Sequence, residues 1–127
     1  MTGVQTCALP IYPVARQKIA QLATQHEVAR VLGLRFVASC KVGAKPPTVQ
    51  ASQYKLYATQ LSQRAANAAL DIGGAASQLR LGEEGAPAGG RFDSAYRATV
   101  VETIGGGASE IQKNIIARRG PGLPKNF

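Results

Sequence analysis

The chain has 127 residues, a formal net charge of +8 and a hydrophobic content of 45%, which suits one domain with a core and excludes a disordered tail. Aromatics make up 6% and Trp is absent, so Ala, Leu, Val and Ile must fill the interior, which favours helices packed closely through small side chains. No apolar run approaches the roughly 18 residues of a transmembrane helix. Cys7 and Cys40 make no disulfide scaffold, and the Lys and Arg residues are scattered, with one doublet, Arg118-Arg119, so the charge reads as a solvated basic surface.

The first segment, Met1–Ile11, reads MTGVQTCALPI. It has no charged leader region and no long apolar stretch, so it is a poor signal peptide. It resembles the translated end of a short-read sequencing adapter, joined to the interior of a longer gene. It is therefore set apart from the domain expected over residues 12–127.

Pro13 is placed to open a helix, because its missing N–H would be unpaired in a first turn anyway. Apolar residues then recur every three or four positions from Val14 to about Val42, through Ile19, Leu22, His26 and Ala29, then Val28, Leu32 and Phe36. Gly33 inside this helix suggests a close crossing, and His26 reads as a packing residue on the apolar face. Cys40 reads as buried or inert. Gly43 through Pro47 stop the helix.

The second helix is expected from about Val49 to Ile72, with Tyr54, Ala58, Leu61, Ala65, Ala68 and Ile72 on one stripe and Gly73-Gly74 as its stop. From Gly73 to Arg91 no period survives, which implies a long loop with a short helical turn near Ser77–Leu81. A third helix starts near Asp93 or Ser94 and ends at Gly105-Gly106-Gly107. A fourth begins at Ser109, where Ser109 and Gln112 have capping-box spacing, with Ile111, Ile115 and Ile116 facing inward. Arg118 and Arg119 suit its negative end. Nothing alternates with period two for long, so the expected fold is all-α, an antiparallel up-and-down helical bundle. No metal-ligand spacing occurs.

Residues Thr103–Lys125, TIGGGASEIQKNIIARRGPGLPK, resemble the C-terminal signature of acyl-CoA dehydrogenases. The resemblance extends more weakly upstream, through PVARQKIAQL, through ASQYKLYATQLSQRAANAAL with Lys55, and through Arg97. It implies the C-terminal helical domain of a larger enzyme, lacking its first helix. The sparse cysteines make a reduced, cytoplasmic setting the default expectation, and such enzymes are usually tetramers that hold FAD. In them a carboxylate removes the α-proton of an acyl-CoA, the β-hydride passes to the flavin, and a 2-enoyl-CoA results.

Carried over residue by residue, the resemblance puts Gly106 at a position where many members have the catalytic Glu. Glycine cannot take a proton, so no catalytic residue is expected here. In some relatives the base lies on a helix upstream of Pro13. Glu102 and Glu110 are nearby carboxylates at neither position. Ala108, Ser109 and Glu110 match the turn that meets the cofactor of the same subunit, and Gly107 lies near the substrate. Asp71, Ile72, Gly73, Gly74 and Ala75 match a stretch that reaches the FAD of a neighbouring subunit. Two departures stand out: Ala108 replaces a Thr, and Asp71 replaces a Gln beside a diphosphate.

Three functions compete on these grounds. The first is a piece of a flavin-dependent acyl-CoA dehydrogenase, inactive alone, with FAD and acyl-CoA as ligands of the parent and a homo- or hetero-tetramer as its assembly. The second is a non-catalytic partner subunit of a heteromeric dehydrogenase. The third, supported by charge alone, is a basic helical module for nucleic acid, and neither nucleic acid nor membrane is expected as a partner.

Overall fold

The computed structural model describes residues 12–124; the adapter-like segment Met1–Ile11 and residues 125–127 lie outside the described residues. Four α-helices follow in order: α1 Pro13–Ser39, α2 Thr48–Gly73, α3 Arg91–Glu102 and α4 Ser109–Arg119. Two short 3-10 turns, Ala75–Gln78 and Pro87–Gly90, interrupt the connection from α2 to α3. No strand occurs among the described residues, so the chain is all-helical as its periodicity implies.

The helix α2 is the hub of the fold. The other three helices each pack on it and hardly on one another. The helix α1 runs antiparallel to it: Lys18 meets Asp71 at one end, and Gly33 meets Tyr54 towards the other. A Cβ at Gly33 would lie 3.1 Å from the Tyr54 ring, so glycine at this position permits the close crossing. The Phe36 and Tyr54 rings stack beside it, with centroids 6.5 Å apart.

The column opposite α1 is shared. Gly73 touches Phe92, which places the start of α3 at the end of α2. Arg119 donates to the Thr48 hydroxyl, which places the end of α4 at the start of α2. Hence α3 and α4 run end to end, both antiparallel to α2, and the glycine turn between them is their joint.

Small residues dominate the buried positions, as the composition implies: Ala15, Ala29, Leu61, Ala66 and Ala68 among the apolar ones. Several expectations need correction. His26 is exposed on α1, because the buried face runs through Ala15 and Ala29 rather than through Ile19 and His26. Cys40 is exposed rather than buried, since α1 ends at Ser39 and the chain turns outward there. Ile111 is exposed, and Gln112 takes the buried place in the first turn of α4. The cap of α3 is Gly90 in left-handed conformation, not Asp93 or Ser94; Asp93 lies inside the first turn, buried against Arg97.

Candidate cofactor turns along α2

Two turns hold the residues singled out from the sequence, and α2 sets the distance between them. Lys55, beside the glycine turn, and Asp71, at the start of the second stretch, are sixteen residues apart on one helix. At 1.5 Å per residue that is about 24 Å. The structure therefore gathers Gly106, Gly107, Ala108, Ser109 and Glu110 at one place and Asp71, Ile72, Gly73, Gly74 and Ala75 at another.

The first turn is held by two side chains from different elements. The Lys55 ammonium donates to the Gly107 carbonyl at 2.7 Å. The Gln112 amide donates to the Gly106 carbonyl at 3.0 Å and the Gly107 carbonyl at 3.4 Å. Gln112 is buried, so these bonds sit where an unmade partner would be costly. Gly107 has φ +100, a left-handed conformation that favours glycine, and a Cβ there would lie 2.6 Å from the Gln112 side-chain nitrogen, which would have to shift.

The capping box expected at Ser109 and Gln112 does not form. The N-cap is Ala108, which has no side-chain oxygen, and no side chain caps the helix. Gln112 turns its amide to the carbonyls of the preceding turn instead. The first N–H groups of α4 therefore point out without a side-chain partner, beside the Lys55 ammonium. Both features favour an anion. Gly106, at φ +69, faces the same corner, and a Cβ on it would stand 4.0 Å from the Lys55 stem. Glu102 and Glu110 are both exposed.

The second turn is locked by Ser77, 1% exposed, whose hydroxyl donates to the carbonyls of Leu70 at 2.9 Å and Gly74. A Cβ on Gly73 would come within 2.8 Å of the Ser77 Cβ and 3.2 Å of the Phe92 ring, so this glycine is needed for internal packing. Gly74, at φ +67, faces open space. Asp71 is exposed at the start of the turn and is paired by the Lys18 ammonium across the helix pair.

Sequence reasoning gave Lys18 no role. It also missed a groove of about 220 Å³ between α1 and α2, which Lys18, Gln21, Gln25, Arg64, Asn67 and Asp71 line. The Arg64 guanidinium lies 5.7 Å over the Tyr57 ring, and its Nε donates to the Gln60 carbonyl. Away from both turns, Arg97 hydrogen-bonds Asp93 through both carboxylate oxygens and holds that carboxyl below the usual range; burial pushes the other way and is outweighed. No group of three or more metal-ligating side chains occurs among the described residues. No described helix is long and apolar enough to cross a membrane.

Comparison with known proteins agrees with the helical signature. Residues 8–120 match the family model described as the acyl-CoA dehydrogenase C-terminal domain. Acyl-CoA dehydrogenase FadE26 of Mycobacterium tuberculosis is 36% identical over 109 residues, which is 82% of this chain and 27% of that protein. Probable acyl-CoA dehydrogenase YngJ of Bacillus subtilis is 32% identical over 102 residues, 80% of this chain and 24% of that protein. The chain thus spans about a quarter of the length of these relatives. Among solved structures, the Tcur3481-Tcur3483 steroid ACAD superposes with a TM-score of 0.86 at 24% identity, covering 94% of this chain and 31% of that one, a likeness of fold. The ChsE4-ChsE5 complex from Mycobacterium tuberculosis superposes with a TM-score of 0.78 at 28% identity, covering 88% of this chain and 28% of that one. The chain belongs to the acyl-CoA dehydrogenase family and carries its C-terminal helical domain.

Proposed function

We propose that this chain is a piece of an FAD-dependent acyl-CoA dehydrogenase that contributes cofactor and oligomer contacts but no catalytic base. The observation that carries this reading is the pair of rigid turns about 24 Å apart along α2. Each is held by its own buried side chain, Ser77 or Gln112. Two turns so far apart on one protomer suit contacts with two different flavins, one of the same subunit and one of a neighbour.

The residues present fit an anionic cofactor. At Ala108–Glu110 the uncapped start of α4 offers backbone N–H groups next to Lys55, which suits a phosphate. At Asp71–Ala75 the lone carboxylate is neutralised by Lys18. When bound, the flavin accepts the β-hydride of the acyl thioester. The chain's own part is to hold the diphosphate and shape the substrate corner at Gly107. Proton removal requires a base, and Gly106 cannot supply one. The family match begins at residue 8, so residues 1–7 stand before it in this reading.

A dye-coupled assay tests the reading. The chain mixed with FAD, an acyl-CoA and an electron-acceptor dye is expected to give no reduction above the no-enzyme rate. Sustained turnover would show that a base is present and would contradict it.

A second reading has support of its own. One similar structure is described as a complex of two differently named chains, and Gly106 leaves this chain without a base at the signature. The parent would then be a non-catalytic subunit paired with a catalytic one. A glutamate on the helix that precedes Tyr12 in the full-length gene favours the catalytic parent, and its absence favours the partner subunit.

A further inference from the structure

We infer that Lys18, rather than Asp71, is the group that the groove between α1 and α2 presents to the diphosphate of an adenine dinucleotide, with Asp71 serving to hold the Lys18 ammonium in place. This inference rests on the reading of Asp71–Ala75 as a cofactor contact and goes beyond it, because the sequence reading gave Lys18 no role. A carboxylate facing a diphosphate would repel it. The structure resolves the conflict by an ion pair across the helices: the Lys18 ammonium lies on the Asp71 carboxylate.

An ammonium has three donors and this pairing uses one, so two remain for a ligand. Lys18 and Asp71 both line the groove of about 220 Å³, whose other polar residues are Gln21, Gln25, Arg64 and Asn67. Asp71 is the one acidic side chain among the lining residues. Of the two cations in the lining, Arg64 is engaged by the Gln60 carbonyl and the Tyr57 ring, and Lys18 is the one paired with Asp71 at the turn. A second observation points to a ligand in the same groove. The Gln25 side-chain oxygen is buried and lacks a hydrogen-bond donor, which is an uncommon state for a buried acceptor. Rotated into the groove, that oxygen would accept from a donor on a bound nucleotide.

Calorimetric titration of the 127-residue chain with inorganic pyrophosphate and with ADP, at low salt, tests this. Far-UV circular dichroism would confirm that every variant keeps its helices. Lys18→Met is expected to weaken binding of both probes about tenfold, the loss of one charge-assisted hydrogen bond. Lys18→Arg should stay within about threefold of the unmodified chain, because charge and donors are kept. Asp71→Asn should bind no more weakly, since its amide oxygen still accepts from Lys18 and the negative charge is gone. Combining Asp71→Asn with Lys18→Met should recover part of the loss. If the unmodified chain binds and Lys18→Met binds equally well, the role of Lys18 is overturned while the cofactor reading stands. If neither probe binds the unmodified chain, Lys18→Arg or Asp71→Asn, the reading of Asp71–Ala75 as a phosphate contact falls, and the inference with it.

Discussion

At the scale of single residues, glycines in this chain are required for different reasons, and the reasons predict different costs. Gly90 has φ +82, and a Cβ on it would overlap the Arg80 carbonyl at 2.2 Å. Gly74 has φ +67 but faces open space. Gly90→Ala should therefore destabilise the chain by more than about 3 kcal/mol, since backbone must move. Gly74→Ala should cost only the left-handed penalty, roughly 1–2 kcal/mol. Urea denaturation of the two variants compares them, and equal losses would contradict the assignment. Asp93 gives a pH prediction. Its carboxyl is held low by Arg97, so its contribution to stability is present above its unfolded value of about 4 and is lost as pH falls through the lower folded value. Asp93→Asn should remove this part of the acid sensitivity. An acid transition unchanged by that substitution would show that the pair does not couple to folding.

At the scale of elements, the two long helices and the buried stripe of α2 through Leu61 and Ala68 were legible, and the facing side of α1 was legible only in part. The stops at Gly43–Pro47 and Gly73-Gly74 bracket α1 and α2 closely, because Pro and Gly punctuate the backbone regardless of tertiary context. The face of α1 was misread because that helix is apolar on two sides. Leu22, Ala29 and Phe36 turn to α2, while Val28, Val31 and Leu34 point outward at 43%, 55% and 57% exposure. Periodicity cannot choose between two apolar stripes. The start of α3 was missed because it depends on Gly89 and Gly90 in left-handed conformation, which leaves no periodic trace. The Lys18–Asp71 pair, by contrast, was within reach of arithmetic. In an antiparallel helix pair, facing residues have nearly constant summed numbers: 89 for Lys18 and Asp71, 87 for Gly33 and Tyr54. The turn near Gly43 and Ala44 sets that sum. The outward stripe of α1 carries a prediction. Exposed apolar patches promote association, so the chain should sediment as an oligomer. Val31→Glu combined with Leu34→Glu should shift it to monomer with helicity unchanged. A monomeric parent chain with a sharp cooperative melt would contradict this.

At the scale of the whole molecule, the fold and family were carried by Thr103–Lys125 and by the helical period. Candidate site positions could be proposed from the sequence, and their geometry could not. Sequence could align Gly106 with a base position and Asp71 with a cofactor contact. It could not show that Gln112 abandons its capping role to hold the glycine turn, which Lys55 of α2 also holds. Nor could it show that α3 and α4 share one column, which is what puts the two turns at separate places along α2. The picture we propose is a cofactor scaffold without a base, part of a longer dehydrogenase. Sequencing the source genome across the codons for Met1 to Tyr12 tests that picture most directly. The account predicts that codons for Met1–Ile11 are missing from the genome, and that the frame continues upstream of Tyr12 into the rest of an acyl-CoA dehydrogenase. A genomic gene that begins at Met1, encodes MTGVQTCALPI and is preceded by an in-frame stop would contradict it.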